Sequence, residues 1–220
     1  MQPEPCSNVS AEILQARAYQ IKAGHAMNSL RTGLLALSLL LGACGGGQLG
    51  EPPLKGATIG GPFTLTDQNG KRVSDRDFDG RYRLVYFGYA YCPDVCPTDL
   101  AKLGVALRDL EKSDPALAAR IAPIFITVDP ERDTPQVIKR FVENFHPRLI
   151  GLTGSRAEVD KAVAGYRVYY KKQALAAGGG YLVDHTAITY LMGPKGEPLA
   201  ALSQDMTPGQ MAAEIRKWAK

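Results

Sequence analysis

Two apolar runs, each followed by a helical pattern, constrain the fold more than any other feature. "RLVYFGYAY", residues 83–91, and "IAPIFITVD", residues 121–129, are rich in β-branched and aromatic residues, which indicates buried strands. The segment from Pro97 to about Leu110 places its leucines on one helical face, and a second helix is predicted to begin at Pro135. Two such βα units predict an α/β domain.

Hairpins are predicted on either side of these units. The Asn69-Gly70 pair stands between two short alternating runs, which predicts an N-terminal β-hairpin. The remaining predicted elements are a short strand at 149–152, a helix at 155–165, a strand at 166–170, a hairpin with strands 188–192 and 199–202, and a helix from Thr207-Pro208 to Trp218. Together they predict a mixed central sheet flanked by helices.

The composition fits one globular domain plus a tail. Of 220 residues, 45% are hydrophobic and 22% are charged, which is enough apolar sequence for one core. The net charge is +4, and the lysines and arginines are scattered and form no dense basic run. The sequence therefore gives no support for a nucleic-acid partner.

A secretory signal is predicted well inside the chain. "MNSLRTGLLALSLLLGAC" begins at Met27 and combines a positive head, a short apolar stretch and small residues before Cys44, which resembles the lipobox of bacterial lipoproteins. We expect a signal peptide at 27–43, a lipidated Cys44, a flexible tether at 44–60 and a folded domain at 61–220. A short transmembrane anchor is the alternative.

Residues 1–26 do not resemble the start of a signal peptide, because they include Glu4, Glu12 and Cys6. We expect Met27 to be the true start and 1–26 to be a start-site error, with a long cytoplasmic extension as the alternative. If Cys44 is lipidated and Cys6 is absent, Cys92 and Cys96 are the remaining cysteines. In an exported protein such a pair is reduced, forms a local disulfide or binds a metal.

The position of this pair favours reactive thiols. A predicted helix begins beside Cys92 and Cys96, and unpaired N–H groups at a helix start favour a thiolate. Thioredoxin-type dithiols normally have two intervening residues, whereas three lie here. "YLVDHTAITYL" places His185 in the segment expected to face this loop. Two thiolates and one imidazole suit Cu(I).

Three motifs occur together: "YCPDVCPTDL" at 91–100, "TVDPERDTP" at 127–135 and "VDHTAITYL" at 183–191. With them, the chain from about Gly56 to Trp218 resembles the Sco/SenC family, the thioredoxin-like copper proteins of cytochrome c oxidase assembly. The resemblance implies a thioredoxin-like fold. It also implies that Cys92, Cys96 and His185 bind copper, as Cu(I), Cu(II) or both.

The resemblance further implies a metallochaperone rather than an enzyme. From the lipobox pattern we expect it to be lipid-anchored through Cys44 in the bacterial cell envelope and to face the periplasm, which differs from family members held by a transmembrane helix. Its expected partners are the copper-site subunit of the oxidase and another periplasmic copper donor. The alternative is a thiol-disulfide reductase that keeps the oxidase cysteines reduced. In that case Cys92 and Cys96 would be the redox-active pair, able to form a disulfide, and a thioredoxin-like reductase would be a partner.

Roles are also predicted for three further sites. Asp184 either orients His185, receives a partner or is a solvated loop acid. His146 is predicted to be a surface cap at a helix end. The charged group around Asp129 and Arg132 is predicted to serve structure, through capping and an Arg–carboxylate pair, rather than to bind metal.

Overall fold

The computed structural model describes residues 50–175 and 180–220. The segments 1–26 and 27–43, and residues 44–49 of the predicted tether including Cys44, lie outside the described residues. Within the described part of the chain, no helix combines the length and apolar character needed to cross a membrane.

Nine strands lie in the described residues and form two sheets. They are β1 (Thr64–Asp67), β2 (Arg72–Ser74), β3 (Tyr82–Gly88), β4 (Ile121–Thr127), β5 (Ile150–Thr153), β6 (Tyr170–Ala174), β7 (Tyr181–His185), β8 (Ile188–Met192) and β9 (Pro198–Ser203). Seven of them form one sheet in the order β2-β1-β5-β4-β3-β8-β9, and β6 pairs only with β7 among the described residues.

The large sheet is mixed, as predicted. Strands β3, β4 and β5 are parallel, and β1, β2, β8 and β9 extend the sheet with antiparallel pairs. Every residue of β3 and β4 is buried, which is typical of parallel strands covered on both faces. The apolar runs at 83–91 and 121–129 are therefore the centre of the fold, and the α/β prediction is confirmed.

In the part of the chain that the structure describes, five α-helices cover the sheet: α1 (Val95–Ser113), α2 (Pro115–Ala119), α3 (Pro135–Val142), α4 (Arg156–Gly165) and α5 (Pro208–Trp218). Side-chain N-caps begin α3, α4 and α5, at Thr134, Ser155 and Thr207. The first helix starts two residues before the predicted Pro97, so Cys96 lies inside its first turn. The short α2 was not predicted.

The N-terminal hairpin is present at the predicted turn. Gly70 adopts a φ of 82°, a left-handed conformation that glycine tolerates without steric cost, and β1 and β2 pair on either side of it.

The prediction of a strand at 166–170 is wrong, because the C-terminal end of α4 occupies the first of these residues. Arg167 has a φ of 56°, and its N–H donates to the Ala164 carbonyl while Val168 N–H donates to the Val163 carbonyl. This pair of bonds is a Schellman motif, which ends α4. Tyr166 is buried in the core, and the strand β6 begins only at Tyr170.

Candidate metal centre

The two cysteines lie where the central strand β3 leads into α1. Cys92 is half-buried in the connecting loop, Cys96 is fully buried in the first helical turn, and both thiols are free. The loop is tied to the core by Asp133, whose Oδ2 accepts the Ala90 N–H at 2.9 Å and the Thr127 hydroxyl at 2.6 Å.

The sulfur of Cys92 takes the place of a side-chain cap on α1. The N-cap residue Asp94 makes no side-chain capping bond. Instead, the Cys96 N–H points at Cys92 Sγ, 3.4 Å away. Pro97 has no N–H to satisfy. A negative sulfur at this position is stabilised by the unpaired N–H groups and by the helix dipole.

The pKa values of the two thiols are shifted in opposite directions. The hydrogen bond from the Cys96 thiol, followed by the one from His185, lowers the pKa of Cys92 to about 3 despite its partial burial. Burial and the neighbouring Cys92 sulfur raise the pKa of Cys96. The metal-free pair therefore holds one proton, with the thiolate on Cys92 and the thiol on Cys96.

His185 ends β7 and faces the same two sulfurs. Its Nε2 lies 3.1 Å from Cys96 Sγ, and its Nδ1 lies 3.2 Å from the Thr186 carbonyl oxygen. A carbonyl can only accept, so Nδ1 carries a proton, and Nε2 is directed to the sulfurs. The rings of Tyr86 and Tyr89 meet the imidazole edge-on, with centroids 6.2 Å and 5.9 Å away.

The structure thus brings Cys92, Cys96 and His185 together, with ligand atoms all within 4.8 Å of one another. It is the one His/Cys/Asp/Glu group in residues 50–175 and 180–220 whose atoms could converge on a metal ion. Two sulfurs and one imidazole nitrogen form a soft donor set, suited to copper and poorly suited to Mg²⁺ or Ca²⁺.

Gly88 makes room for the buried thiol and was not identified from the sequence. A Cβ at this position would lie 2.9 Å from Cys96 Sγ and 2.9 Å from the Tyr86 ring. The glycine in "YFGYAY", just before a helix that begins with a cysteine, was the available signal.

Asp184 does not orient His185 in this structure. Successive side chains of a strand point to opposite faces, so Asp184 is exposed while His185 faces the thiols. The Asp184 carboxylate accepts a hydrogen bond from the Gln173 side chain at 2.7 Å, and the Thr186 carbonyl occupies the position beside His185 Nδ1.

His146 is not the predicted surface cap. Its side chain is buried, Nδ1 accepts the Arg148 N–H at 3.2 Å, and Nε2 lies 3.4 Å from Glu111. Burial lowers the pKa of His146, which favours the neutral ring. Its contact with Glu111, which lies in the distant helix α1, is a tertiary effect with no local sequence signal.

The charged group after β4 contains the predicted Arg–carboxylate pair. Arg132 Nε donates to Asp129 Oδ2 at 2.5 Å, and Asp129 is completely buried. The sequence did not indicate the partner that both share, Tyr181 of β7, four residues before His185.

The comparison with protein families decides the assignment. The SCO1/SenC family model matches residues 51–220, which is the whole described domain. The chain belongs to the SCO1/SenC family. The predicted family resemblance is therefore confirmed.

Relatives of this SCO1/SenC chain include copper-bound structures. Human "Protein SCO1 homolog, mitochondrial" is 43% identical over 157 residues, which are 71% of this chain and 52% of the relative. Copper-bound Bradyrhizobium japonicum ScoI is 45% identical with a TM-score of 0.66, covering 73% of this chain and 99% of that one. Copper-bound yeast Sco1 is 38% identical with a TM-score of 0.67, covering 73% and 87%.

These neighbours also confirm the thioredoxin-like fold class predicted from the sequence. The chain spans about half the length of the curated relatives that it matches, at 52%, 42% and 55% of the first three.

Proposed function

We propose that this SCO1/SenC chain is a periplasmic copper carrier that delivers the ion to the copper-site subunit of cytochrome c oxidase during assembly. The observation that supports it is the convergence of Cys92 Sγ, Cys96 Sγ and His185 Nε2 within 4.8 Å. Copper bound to relatives of 45% and 38% identity supports the choice of ion.

The chain's own groups are suited to taking up and releasing a soft ion. The Cys92 thiolate is half exposed and can be reached first. Binding by both sulfurs requires the Cys96 thiol to give up its proton, so metal uptake releases a proton. Transfer would proceed by ligand exchange with a receiving protein, and no substrate is chemically converted, so the role is that of a carrier rather than an enzyme.

Copper stoichiometry tests this proposal. The full chain is reduced, loaded with Cu(I), desalted and analysed for metal. We expect one copper per wild-type chain and strong loss in Cys92→Ser, Cys96→Ser and His185→Ala. Asp184→Asn is the matched control, because Asp184 neighbours His185 in β7 but its side chain faces away from the site. Full copper retention by His185→Ala would refute the three-ligand site.

A second candidate is a thiol-disulfide reductase, which the low pKa of the half-exposed Cys92 favours. The Cys92 thiolate would attack a target disulfide, and one target thiolate would leave. The Cys96 thiol would then lose its proton and displace the second target thiolate. The target gains two electrons, and the chain ends with a Cys92–Cys96 disulfide, which a thioredoxin-like reductase would have to reduce again.

His185→Ala separates the two functions. Both cysteines remain, so a reductase should keep most of its disulfide-reducing rate towards a model disulfide and its ability to support oxidase assembly. A carrier should lose copper retention and oxidase maturation together. If His185→Ala loses copper retention and oxidase maturation but keeps its disulfide-reducing rate, the result would support the carrier.

We further propose that the chain is lipid-anchored through Cys44 in the bacterial envelope. The apolar stretch and small residues before Cys44 support this, although the curated relatives named above are mitochondrial proteins. Lipid chains anchor firmly because each buried CH₂ contributes about 0.8 kcal/mol. Cys44→Ser should move the protein from the membrane fraction to the soluble fraction, or leave the signal uncut.

A further inference from the structure

The hairpin that carries His185 is attached to the domain in an unusual way. Among the described residues, β6 and β7 pair with each other and share no ladder with the seven-stranded sheet. The hairpin must therefore be held by side chains and by isolated loop bonds. Since the position of His185 depends on that attachment, the residues that supply it bear on the metal centre.

Arg132 makes the closest of these attachments. Its guanidinium carbon lies 3.7 Å from the centre of the Tyr181 ring, which is stacking distance. The same guanidinium donates from Nη1 to the Tyr181 carbonyl oxygen at 3.1 Å. One side chain thus holds both the ring and the backbone of the first residue of β7.

Asp129 adds hydrogen bonds to the Tyr181 and Arg132 side chains. Its Oδ1 accepts the Tyr181 hydroxyl at 2.7 Å, and its Oδ2 accepts Arg132 Nε at 2.5 Å. The residue is fully buried, and a buried carboxylate is stable only when it is paired and hydrogen-bonded. Asp129, Arg132 and Tyr181 therefore form a set of mutual contacts, named here the Arg132 clamp, and Lys172 of β6 lies beside it, 3.9 Å from Asp129 and 4.7 Å from the Tyr181 ring centre.

The clamp also touches the cysteine loop. The Arg132 guanidinium lies 5.7 Å from the Tyr89 ring centre and 5.2 Å from that of Tyr91. The Tyr89 hydroxyl accepts the N–H of Val183, two residues before the histidine, and its ring meets the His185 imidazole edge-on. Arg132 is thus packed between the loop that carries Cys92 and the strand that carries His185.

We propose that the Arg132 clamp is the positioning element that holds His185 against Cys92 and Cys96. Arg132 and Tyr181 are not ligands, and they act on the metal centre through the hairpin. This inference rests on the proposed copper site for its metal readout, but the position of His185 can be measured without any metal.

The first experiment uses the reduced, metal-free full chain. Nuclear Overhauser contacts between the His185 and Tyr86 rings report the position of the histidine, because Tyr86 does not contact the clamp. We expect this contact in wild type and its loss in Arg132→Met. Tyr181→Phe, which removes only the hydroxyl bond to Asp129, should weaken it while the chain stays folded. Arg132→Lys, which keeps the charge without the planar fork, should restore little.

The second experiment measures copper in the same variants. We expect Arg132→Met to lower the apparent copper affinity about 10–100-fold, the range typical of residues that orient a metal ligand. The nitrogen coupling in the Cu(II) paramagnetic resonance spectrum should weaken as well. If wild type binds no copper, the proposed function fails, while the ring contact still decides whether the clamp positions His185.

Arg148→Met is the matched control. Arg148 also pairs with a carboxylate, Glu111, and donates to backbone carbonyls, but it lies in the loop that precedes β5. Its loss should lower thermal stability and leave the His185–Tyr86 contact and the copper spectrum unchanged. An unchanged ring contact and copper affinity in folded Arg132→Met would overturn the proposal. So would equal changes in both arginine variants, since they would indicate a general stability effect.

Discussion

Cys92 and Cys96 follow a strand that is hydrogen-bonded on both sides, whereas His185 ends a strand of a separate two-stranded sheet. All residues of β3 are buried, while β6 exposes four of its five residues. The dithiol therefore belongs to the most stable part of the domain, and the imidazole belongs to a part held by a few side chains. Local opening is expected to be easier in the second region than in the first.

This difference shows how one site can combine a fixed half, the dithiol Cys92 and Cys96, with an adjustable half, the imidazole of His185. The sulfurs keep their relation to the core through the sheet and Asp133. The imidazole keeps its relation to them through tyrosines and one arginine. The proposed carrier must bind its ion firmly and also release it, and a third ligand on a separately held hairpin would serve both needs.

The largest expected effect tests the fixed half. Leu84 is fully buried in β3, so Leu84→Ala removes contacts in the middle of the sheet. It should lower the free energy of unfolding by about 2–5 kcal/mol, as is typical of core leucines. Denaturant unfolding followed by circular dichroism measures this. If the free energy of unfolding fell no more than it does for a surface substitution, the assignment of β3 to the stable core would be contradicted.

A pH effect is expected from the acid that ties the cysteine loop to the core. Burial raises the pKa of Asp133 to about 6, above its ordinary 3.8. The folded state therefore binds the proton more tightly than the unfolded state, so the stabilisation is complete below about pH 4 and is lost as pH rises through about 6.

Over that range the wild type should lose up to about 3 kcal/mol relative to Asp133→Asn, which does not titrate. Denaturant unfolding of both proteins at several pH values gives the difference. Parallel pH profiles for the two proteins would show that Asp133 does not titrate in this range.

Gly88→Ala tests the contact between the sheet and the buried thiol. The new methyl group would lie 2.9 Å from Cys96 Sγ, so that sulfur or the Tyr86 ring must move. We expect a loss of about 1–3 kcal/mol in stability, as for overpacked cores, and an altered rate of Cys96 alkylation. Alkylation at the wild-type rate, with stability unchanged, would mean that the site has spare room. Gly209→Ala, with nothing within 4 Å of the added carbon, is the control.

The smallest effect is expected on the hairpin. Tyr170 pairs with His185 across β6 and β7, and its hydroxyl donates to Asp160 at 2.7 Å and accepts from Arg156 at 3.1 Å. Tyr170→Phe should lower the free energy of hairpin opening by about 0.5–1.5 kcal/mol, because Arg156 and Asp160 can still pair with each other. Hydrogen exchange should speed up for β6 and β7 amides and stay constant in β3 and β4. Equal acceleration in both regions would remove the distinction between them.

Much of the fixed half could be predicted from the sequence because its signals are local. Apolar runs of strand length, a helix start after Cys92 and the Asn69-Gly70 turn each depend on neighbouring residues. The helix start was placed two residues late, because Val95 and Cys96 carry no ordinary cap and the sulfur of Cys92 serves instead.

The adjustable half was predicted less well because its contacts are distant in sequence. The residues of β6 are mostly charged or exposed and give no apolar alternation, so the strand was placed at 166–170. Arg132 and Tyr181 are 49 residues apart, and their stacking depends on the tertiary fold. The burial of His146 and the space beside Gly88 have the same origin. His185 could be identified from its place before an apolar strand expected to face the cysteine loop, and from the family motif, but not from its contacts.

The two sulfurs differ in exposure, which gives the site an outer ligand, Cys92, and an inner ligand, Cys96. Cys92 is partly exposed and Cys96 is fully buried, so a receiving thiolate would reach Cys92 before Cys96. We expect release to follow a fixed sequence, in which Cys92 yields first and Cys96 last. A receiving site whose own ligands match that order would take the ion, whereas a small chelator of similar affinity, unable to follow the sequence, would remove it slowly.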